Sequence, residues 1–273
     1  MAGGRAWRGR VLLAVLLLMG AAACTSAGGD AAADRAPDRR TADPAPAVLA
    51  ALRAAERATE AAGSARVRST ASLGADAAMT STGALAWRDG LCGALTLTYT
   101  GGGVAGTLGE LGSTSTQARY LPDAYYTRVG EEFAAKAGGR HWIRYGWDDL
   151  AGLGGADGPG LAGQIREAAP HRFLALLRAA DGVRRVGVET VRGERATHYT
   201  GVARPAGLPE QTLDLWVDGD GLLVKKAERS RTQDGEVSQT AYYDDYGVRV
   251  SVRPPPPADT QDFGELVRPR GRN

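Results

Sequence analysis

The sequence feature that most restricts the fold is an alternation of apolar and polar residues with a period of two. In residues 91–99 every second residue is Leu, Gly or Tyr, and the residues between them are Cys, Ala and Thr. Residues 66–73 and 79–87 alternate in a similar way, and a hairpin-type turn, Asp89-Gly90, follows the second run. Because successive side chains of a strand point to opposite faces, this pattern predicts antiparallel strands with one apolar face.

Further strands are predicted along the rest of the chain, together with two helical regions. Residues 47–62 carry apolar residues at helical spacing, and the region 158–181 has Pro170 and Gly182 where a helix would start and end. The other alternating runs are residues 113–120, 123–130, 140–145, 183–191, 195–203, 211–217, 222–229, 236–243 and 248–252. The expected fold class is α+β: a curved antiparallel half-barrel of about ten strands, covered by the N-terminal helix and the central helical insertion.

Residues 47–266 are expected to form a single domain. Aromatic residues make up only 6% of the chain, and neither half alone holds enough bulky apolar residues to fill a core. The alternative is a pair of β domains separated by the central helices. Residues 267–273 are expected to be a frayed tail.

The N-terminus has the order of an export signal. Residues 1–10 contain three arginines and no acid, residues 11–23 are uncharged and mostly apolar, and Cys24 follows three alanines. This order predicts a signal peptide over 1–23 and resembles a bacterial lipobox, in which Cys24 would be lipidated. Residues 24–46 lack bulky apolar residues and are expected to be a disordered tether. The alternative is ordinary secretory cleavage near Ala23, with Cys24 incidental.

The sequence contains no motif that predicts catalysis, a cofactor or a metal site. None of the three histidines has metal-ligand spacing, and no nucleophile elbow is present. Residues 101–106 match G-x-G-x-x-G, but no helix pattern is evident after them, so a hairpin connection is predicted. Residues 218–221 begin like a calcium loop, but Arg229 stands where the closing Glu belongs. A non-enzyme without cofactor or metal is therefore expected. Of the functions considered for this sequence, an envelope hydrolase is the least favoured.

The apolar face of the sheet has little to cover it. Only the N-terminal helix and a short helical pair are available, and the inward positions mix a few large residues with Ala, Ser and Gly. The hypothesis is that an apolar ligand fills the remaining space; the alternative is a collapsed core without a cavity. Strand parity and helix spacing predict the lining residues Leu85, Trp87, Leu95, Leu97, Tyr126, Leu174, Leu177 and Leu215.

The C-terminal third resembles a known family. Residues 189–200, 213–226 and 240–263 are similar to the LppX/LprG family of actinobacterial lipoproteins, which is related in fold to the lipoprotein carriers LolA and LolB. Residues 139–150 resemble the strand that precedes the central helices of that family. The resemblance implies an antiparallel half-barrel closed by helices around an apolar cavity that binds acylated lipids or lipoglycans, and it brings no catalytic residues.

Together these observations predict a lipoprotein anchored through Cys24 on the extracytoplasmic side of the cell membrane. Its partners would be the membrane and an acylated lipid or glycolipid, and carriage of that lipid through the envelope is a further expectation. The net charge of only +2 argues against nucleic-acid binding, and a monomer is expected. The alternative function is a lipid-free β-module that acts as a surface interaction or regulatory lipoprotein.

Overall fold

The computed structural model describes residues 45–136, 138–151, 161–205, 209–232 and 235–267. The predicted signal peptide, Cys24 and the end of the predicted tail lie outside these residues. Residues 45 and 46, predicted to close the tether, already belong to the first helix. The strands are β1 Ser64–Leu73, β2 Ala77–Ala86, β3 Cys92–Gly101, β4 Ser115–Tyr120, β5 Ala124–Arg128, β6 Trp142–Gly146, β7 Asp181–Val191, β8 Glu194–Ala203, β9 Gln211–Val217, β10 Leu223–Thr232, β11 Gly235–Asp244 and β12 Thr260–Asp262.

The twelve strands of the described residues join one curved sheet in the order β12-β6-β5-β4-β3-β2-β1-β11-β10-β9-β8-β7. Neighbours pair antiparallel except β12, which pairs parallel with β6. The α+β fold class is confirmed, with twelve strands in place of about ten. Strand β12 was not predicted, because its pairing depends on a distant segment and not on its own three residues.

The strand predicted at 248–252 is wrong. Asp245 and Gly247 both have positive φ values of 47° and 79°, and they turn the chain out of β11. The segment that follows runs into four consecutive prolines, which cannot donate ladder hydrogen bonds. It is held instead by contacts such as the hydrogen bond from the Ser64 hydroxyl to the carbonyl oxygen of Val248, at 2.7 Å.

The helices lie on one side of the sheet, which we call the inner face. The helical elements are α1 Ala45–Ala62, α2 Gly102–Glu110, α3 Glu131–Lys136, α4 Trp147–Ala151, α5 Leu161–Arg166, α6 Pro170–Arg178 and α7 Phe263–Val267, with a 3-10 turn at Pro257–Asp259. The predicted helix over 47–62 is confirmed and begins two residues earlier. In the described part of the chain, no helix is both long and apolar enough to cross a bilayer.

Helix α2 overturns the prediction of a plain hairpin connection at residues 101–106. Gly102 has a φ of +81°, and a Cβ there would lie 2.2 Å from the carbonyl oxygen of Asp76. Glycine is thus required for the turn that starts the helix. The side chain of Leu108 is buried and packs the helix against the core. Because α2 joins the antiparallel strands β3 and β4, no dinucleotide-binding βαβ unit results.

Helices α1 and α6 pack against each other and close the middle of the inner face. Leu52 of α1 and Leu174 of α6 are fully buried in the main core. Arg178 on α6 pairs with Glu56 on α1, its Nε lying 3.2 Å from the carboxylate. Helix α6 also contacts β8, β9 and β10. The cover therefore consists of a helix pair whose α6 packs on the sheet through fully buried leucines.

Candidate functional site

The inner face brings together seven of the eight predicted lining residues. Strand register places Leu97 opposite Ser81, and Leu215 opposite Lys226. The seven residues are all buried and belong to one apolar cluster between the sheet and the helices: Leu85, Trp87, Leu95, Leu97, Leu174, Leu177 and Leu215. Whether they touch a ligand remains a prediction.

Tyr126 does not join this cluster. Thr127 pairs with Ala118 and Ile143, so Thr127 faces inward and Tyr126 faces outward. The Tyr126 ring instead packs in a second cluster on the outer face with residues such as Trp142. The inward assignment of Tyr126 is therefore wrong by one residue, and a shift of one residue reverses the face of every side chain in a strand.

Two glycines let the leucines of neighbouring strands lie close to the sheet. Gly83 pairs with Leu95 across β2 and β3, and Gly93 pairs with Leu85. A Cβ on Gly83 would lie 2.0 Å from the carbonyl oxygen of Ala94 and 2.8 Å from Leu95 Cδ2. On this part of the inner face, large side chains therefore alternate with positions that have none.

A third glycine receives the covering helix. Gly201 of β8 faces α6, and a Cβ there would lie 2.8 Å from Leu177 Cδ1. The end of the Leu177 side chain thus occupies space that any other residue at position 201 would take. This contact sets how closely α6 approaches the sheet.

A crevice between the sheet and α6 has an apolar wall and a polar wall. Leu85, Leu95 and Phe173 contribute to the apolar wall. The polar wall contains Ser81 and Lys226. In this closed arrangement the crevice has room for about one water molecule, so the side chains of the protein itself fill most of the interior.

Lys226 places a positively charged side chain in the polar wall of this crevice. Its side chain is only 2% exposed, and its Nζ donates to the Glu228 carboxylate at 2.6 Å and to Gln239 Oε1 at 2.8 Å. The ammonium also lies 3.5 Å from the centre of the Phe173 ring on α6. Burial lowers the pKa of Lys226, and the nearby Glu228 carboxylate opposes that shift. The polar wall is thus internally neutralised and contacts the covering helix.

Three buried tyrosines continue the inner face toward its other edge. Tyr120, Tyr125 and Tyr145 pair across β4, β5 and β6 in one row, and the rings of Tyr120 and Tyr125 have centroids 5.1 Å apart. Burial raises the pKa of each hydroxyl. Among the described residues, none of the three hydroxyls makes a well-formed hydrogen bond, and neither does the buried hydroxyl of Thr127. Their weaker side-chain interactions are with one another, Tyr120 with Tyr125 and Tyr145 with Thr127. The sequence prediction missed this row because it chose the adjacent Tyr126.

The outer face carries a polar network around His198. The Nδ1 of His198 lies 2.8 Å from Glu189, its Nε2 lies 2.8 Å from Asp214, and its ring stacks on Trp216 at 4.2 Å. The hydrogen bond from the Trp216 indole, followed by that of His198, lowers the pKa of Glu189. Both ring nitrogens are engaged by carboxylates, so the network joins strands β7, β8 and β9 and presents no base to a nucleophile.

The described residues contain no group of three or more His, Cys, Asp or Glu side chains arranged to hold a metal ion. Cys92 is half-buried beside the outer-face cluster of Tyr126, and burial raises the pKa of its thiol. A raised pKa disfavours the reactive thiolate. Chemically, the inner face offers apolar surface, buried hydroxyls and one neutralised cation.

Comparison with known proteins identifies relatives by sequence and by fold. The chain is 55% identical over 221 residues to the Streptomyces coelicolor protein named "Putative lipoprotein SCO4650", covering 81% of this chain and 77% of that one. It is 41% identical to the Streptomyces griseus "Uncharacterized 31.2 kDa protein in rplA-rplJ intergenic region", covering 82% of this chain and 81% of that one. No protein-family profile matches.

A solved structure shares the fold. LprF from Mycobacterium bovis superposes with a TM-score of 0.51 at 11% identity, covering 77% of this chain and 97% of that one. At this identity the likeness concerns the fold alone. It agrees with the half-barrel architecture that the resemblance of the C-terminal third implied.

Proposed function

Because this chain belongs to the same family as the Streptomyces coelicolor protein named "Putative lipoprotein SCO4650" and shares its fold with LprF, we propose that it is a lipoprotein of the LppX/LprG type and binds an acylated lipid or lipoglycan. The acyl chains would lie between the inner face of the sheet and helix α6. The proposal includes an anchor at Cys24 on the extracytoplasmic side of the membrane, and passage of the lipid through the envelope. It assigns no catalytic step to the protein.

The observation that carries the proposal is the construction of the interface beneath α6. Its sheet side alternates leucines with glycines, as at the pair Gly83 and Leu95, and its helix side, α6, also packs against α1. If α6 separates from the sheet, acyl chains can bury the apolar surface that the movement exposes, which offsets the cost of opening. The leucines would contact methylene groups with little polar selectivity.

Binding requires α6 to move. The crevice beneath α6 leaves space for about one water molecule, which is far below the roughly 300 Å³ or more of typical ligand sites. An acyl chain would therefore displace Phe173 and the neighbouring α6 side chains from the crevice. This closed form is the unloaded state, and the loaded state has α6 farther from the strands.

A dye-uptake assay with one filled variant tests the proposal. Ser81 is buried and lines the crevice, so Ser81→Leu adds a branched side chain there at a cost of roughly 1–3 kcal/mol in unfolding free energy. Thr82→Leu places the same side chain on the exposed outer face of the same strand and serves as the control. The wild-type protein and Thr82→Leu should bind an apolar fluorophore saturably, and Ser81→Leu should bind it at least tenfold more weakly.

The competing function is a lipid-free β-module that acts on other proteins at the cell surface. The well-filled interior of the closed form favours this candidate. No saturable uptake by the wild-type protein, or equal uptake by Ser81→Leu, would support the β-module and contradict the lipid proposal.

A further inference from the structure

The inner face has a polar end that the apolar contacts do not explain. Tyr120, Tyr125 and Tyr145 lie in one cross-strand row, and Thr127 lies on the same face in the next row. In the described part of the chain, the hydroxyl oxygens of all four are buried and none makes a well-formed hydrogen bond. Tyr120 interacts only weakly with Tyr125, and Tyr145 only weakly with Thr127, so the donors are incompletely used inside the cluster. A buried hydroxyl without a partner is destabilising relative to the same ring without it, so a cluster of them calls for an explanation.

The row connects directly to the leucines proposed to contact acyl chains. Leu85 of β2 pairs with Gly93 of β3, and Gly93 pairs in turn with Tyr120 of β4. Gly93 contributes no side chain, so nothing at that position separates the leucine end of the row from its tyrosine end. Oxygen atoms next to an acyl chain bound on Leu85 would therefore lie toward the tyrosine hydroxyls.

The chemistry of the cluster selects neutral oxygen acceptors. Tyrosine hydroxyls are donors that can also accept, and burial raises their pKa values, so they remain protonated donors at neutral pH. Beyond Tyr145, the next aromatic ring is that of Phe263, and the centroids of these two rings are 4.9 Å apart. Arg144 pairs opposite Tyr126 on the outer face and so cannot neutralise an anion on the inner face. Among the described residues of β4, β5 and β6, all the arginines pair on the outer face, so these strands would offer no cation to a carboxylate or phosphate buried at this end.

We propose that the hydroxyls of Tyr120, Tyr125 and Tyr145 form a polar subsite that donates hydrogen bonds to the ester carbonyl oxygens of the bound lipid. This inference rests on the proposed lipid-binding function and adds to it the linkage that the site prefers. Thr127 contributes a fourth hydroxyl beside the row. The leucines hold the acyl chains, and the tyrosines recognise the ester group where the chains are joined.

The test compares two lipids that differ only in the linkage. Dioleoylglycerol carries two ester carbonyls, and dioleylglycerol, its diether analogue, has chains of the same length without carbonyl oxygens. With each hydrogen bond contributing about 1 kcal/mol net, two hydrogen bonds correspond to a preference of about thirtyfold for the ester. The wild-type chain should show at least a tenfold preference in displacement of a bound apolar fluorophore.

Hydroxyl deletions assign the preference to the row. The triple variant Tyr120→Phe, Tyr125→Phe and Tyr145→Phe keeps the rings, and it should bind both lipids with the affinity that the wild-type chain has for the diether. Tyr126→Phe on the outer face is the matched control and should keep the wild-type preference. Near-ultraviolet circular dichroism and urea unfolding verify that the triple variant is folded; if it is not, the single variant Tyr125→Phe is measured and should lose about fivefold of the ester preference.

The outcomes separate the two proposals. Equal binding of ester and diether by the wild-type chain, or an unchanged preference in the phenylalanine variants, overturns the subsite and leaves lipid binding intact. Failure of the wild-type chain to bind either lipid overturns the proposed function and the subsite with it.

Discussion

Replacing Lys226 by methionine should destabilise the protein much more than replacing its neighbour Lys225. Lys226 is buried on the inner face, where its Nζ holds Glu228 at 2.6 Å and Gln239 at 2.8 Å. Lys225 lies on the outer face with its Nζ 3.8 Å from the centre of the Trp216 ring. Methionine preserves the length of both side chains and removes only the charge and the donors.

The expected cost follows from what Lys226→Met leaves behind. Breaking a buried ion pair from one side costs roughly 3–5 kcal/mol, because the remaining charge is uncompensated. Glu228 is 17% exposed and regains some hydration, so the loss should fall at the lower end, near about 3 kcal/mol. Lys225→Met removes a cation–π contact of about 0.5–1 kcal/mol.

A double variant checks the origin of the loss. Lys226→Met combined with Glu228→Gln removes the stranded charge and should restore stability to within about 1 kcal/mol of wild type, a gain of about 2 kcal/mol over Lys226→Met alone. Urea unfolding followed by circular dichroism at pH 7 measures the wild type, both lysine variants and the double variant. A loss of less than about 1 kcal/mol in Lys226→Met, or a double variant no more stable than Lys226→Met, refutes the view that this pair is buried and mutually dependent.

Three further predictions address the cover and the pH dependence. Gly201→Val should push Leu177 outward and lower the unfolding free energy, measured in urea, by roughly 1–3 kcal/mol; an unchanged free energy would mean that Leu177 does not pack tightly against position 201. Burial raises the pKa of Tyr99 to about 12, so the hydroxyl loses its proton at lower pH in the unfolded chain than in the folded protein. The free energy of unfolding should therefore fall as pH rises from 10 to 12. Tyrosinate absorbance should appear together with the loss of folded structure, and absorbance that appears while the protein stays folded would contradict this. Hydrogen bonds to Asp259 and then to Glu131 raise the pKa of His141 in the folded protein, so the stability that His141 contributes is present below pH 6.5 and is lost as pH rises through that raised pKa. His141→Gln should remove this part of the pH dependence of the melting temperature. If the pH dependence persists in the variant, another group is responsible.

The central strands and the face they bury could be predicted from sequence because one periodicity decides both. In β3, Thr and Ala alternate with Leu and Gly, so the assignment of Leu95 and Leu97 to the inner face has a single solution. The same holds for Leu215 in β9. The amphipathic α6 likewise follows from Pro170 and the spacing of its leucines.

The failures occurred where the local pattern permits two assignments. Strand β5 contains adjacent Tyr125 and Tyr126, both apolar enough to be buried, and only pairing with β4 and β6 shows which one faces inward. In β10 the register shifts between Leu223 and Lys225, so parity counted from Leu223 would place Lys225 on the inner face, whereas the bulge places Lys226 there. Such shifts depend on neighbouring strands and leave no signal in the segment itself.

The strand at the sheet edge could not be predicted from its own residues either. Strand β12 has three residues, and its parallel pairing with β6 is accompanied by the Arg144–Asp262 ion pair at 3.0 Å, a contact across 118 residues of sequence. Helix α2 was missed because its glycines have low helix propensity, and burial of Leu108 compensates for that propensity only in the folded chain. Tertiary contacts decide both elements.

The central claim is that the interior opens to hold acyl chains, and native mass spectrometry of the protein extracted from its own membrane tests it most directly. Gentle activation should release a discrete ligand whose mass is that of an acylated lipid, while the covalent modification proposed at Cys24 would stay on the protein. The Ser81→Leu variant should carry less of this ligand than Thr82→Leu prepared in parallel. A single ligand-free mass for the wild-type protein, reproduced from independent membrane preparations, would contradict the account.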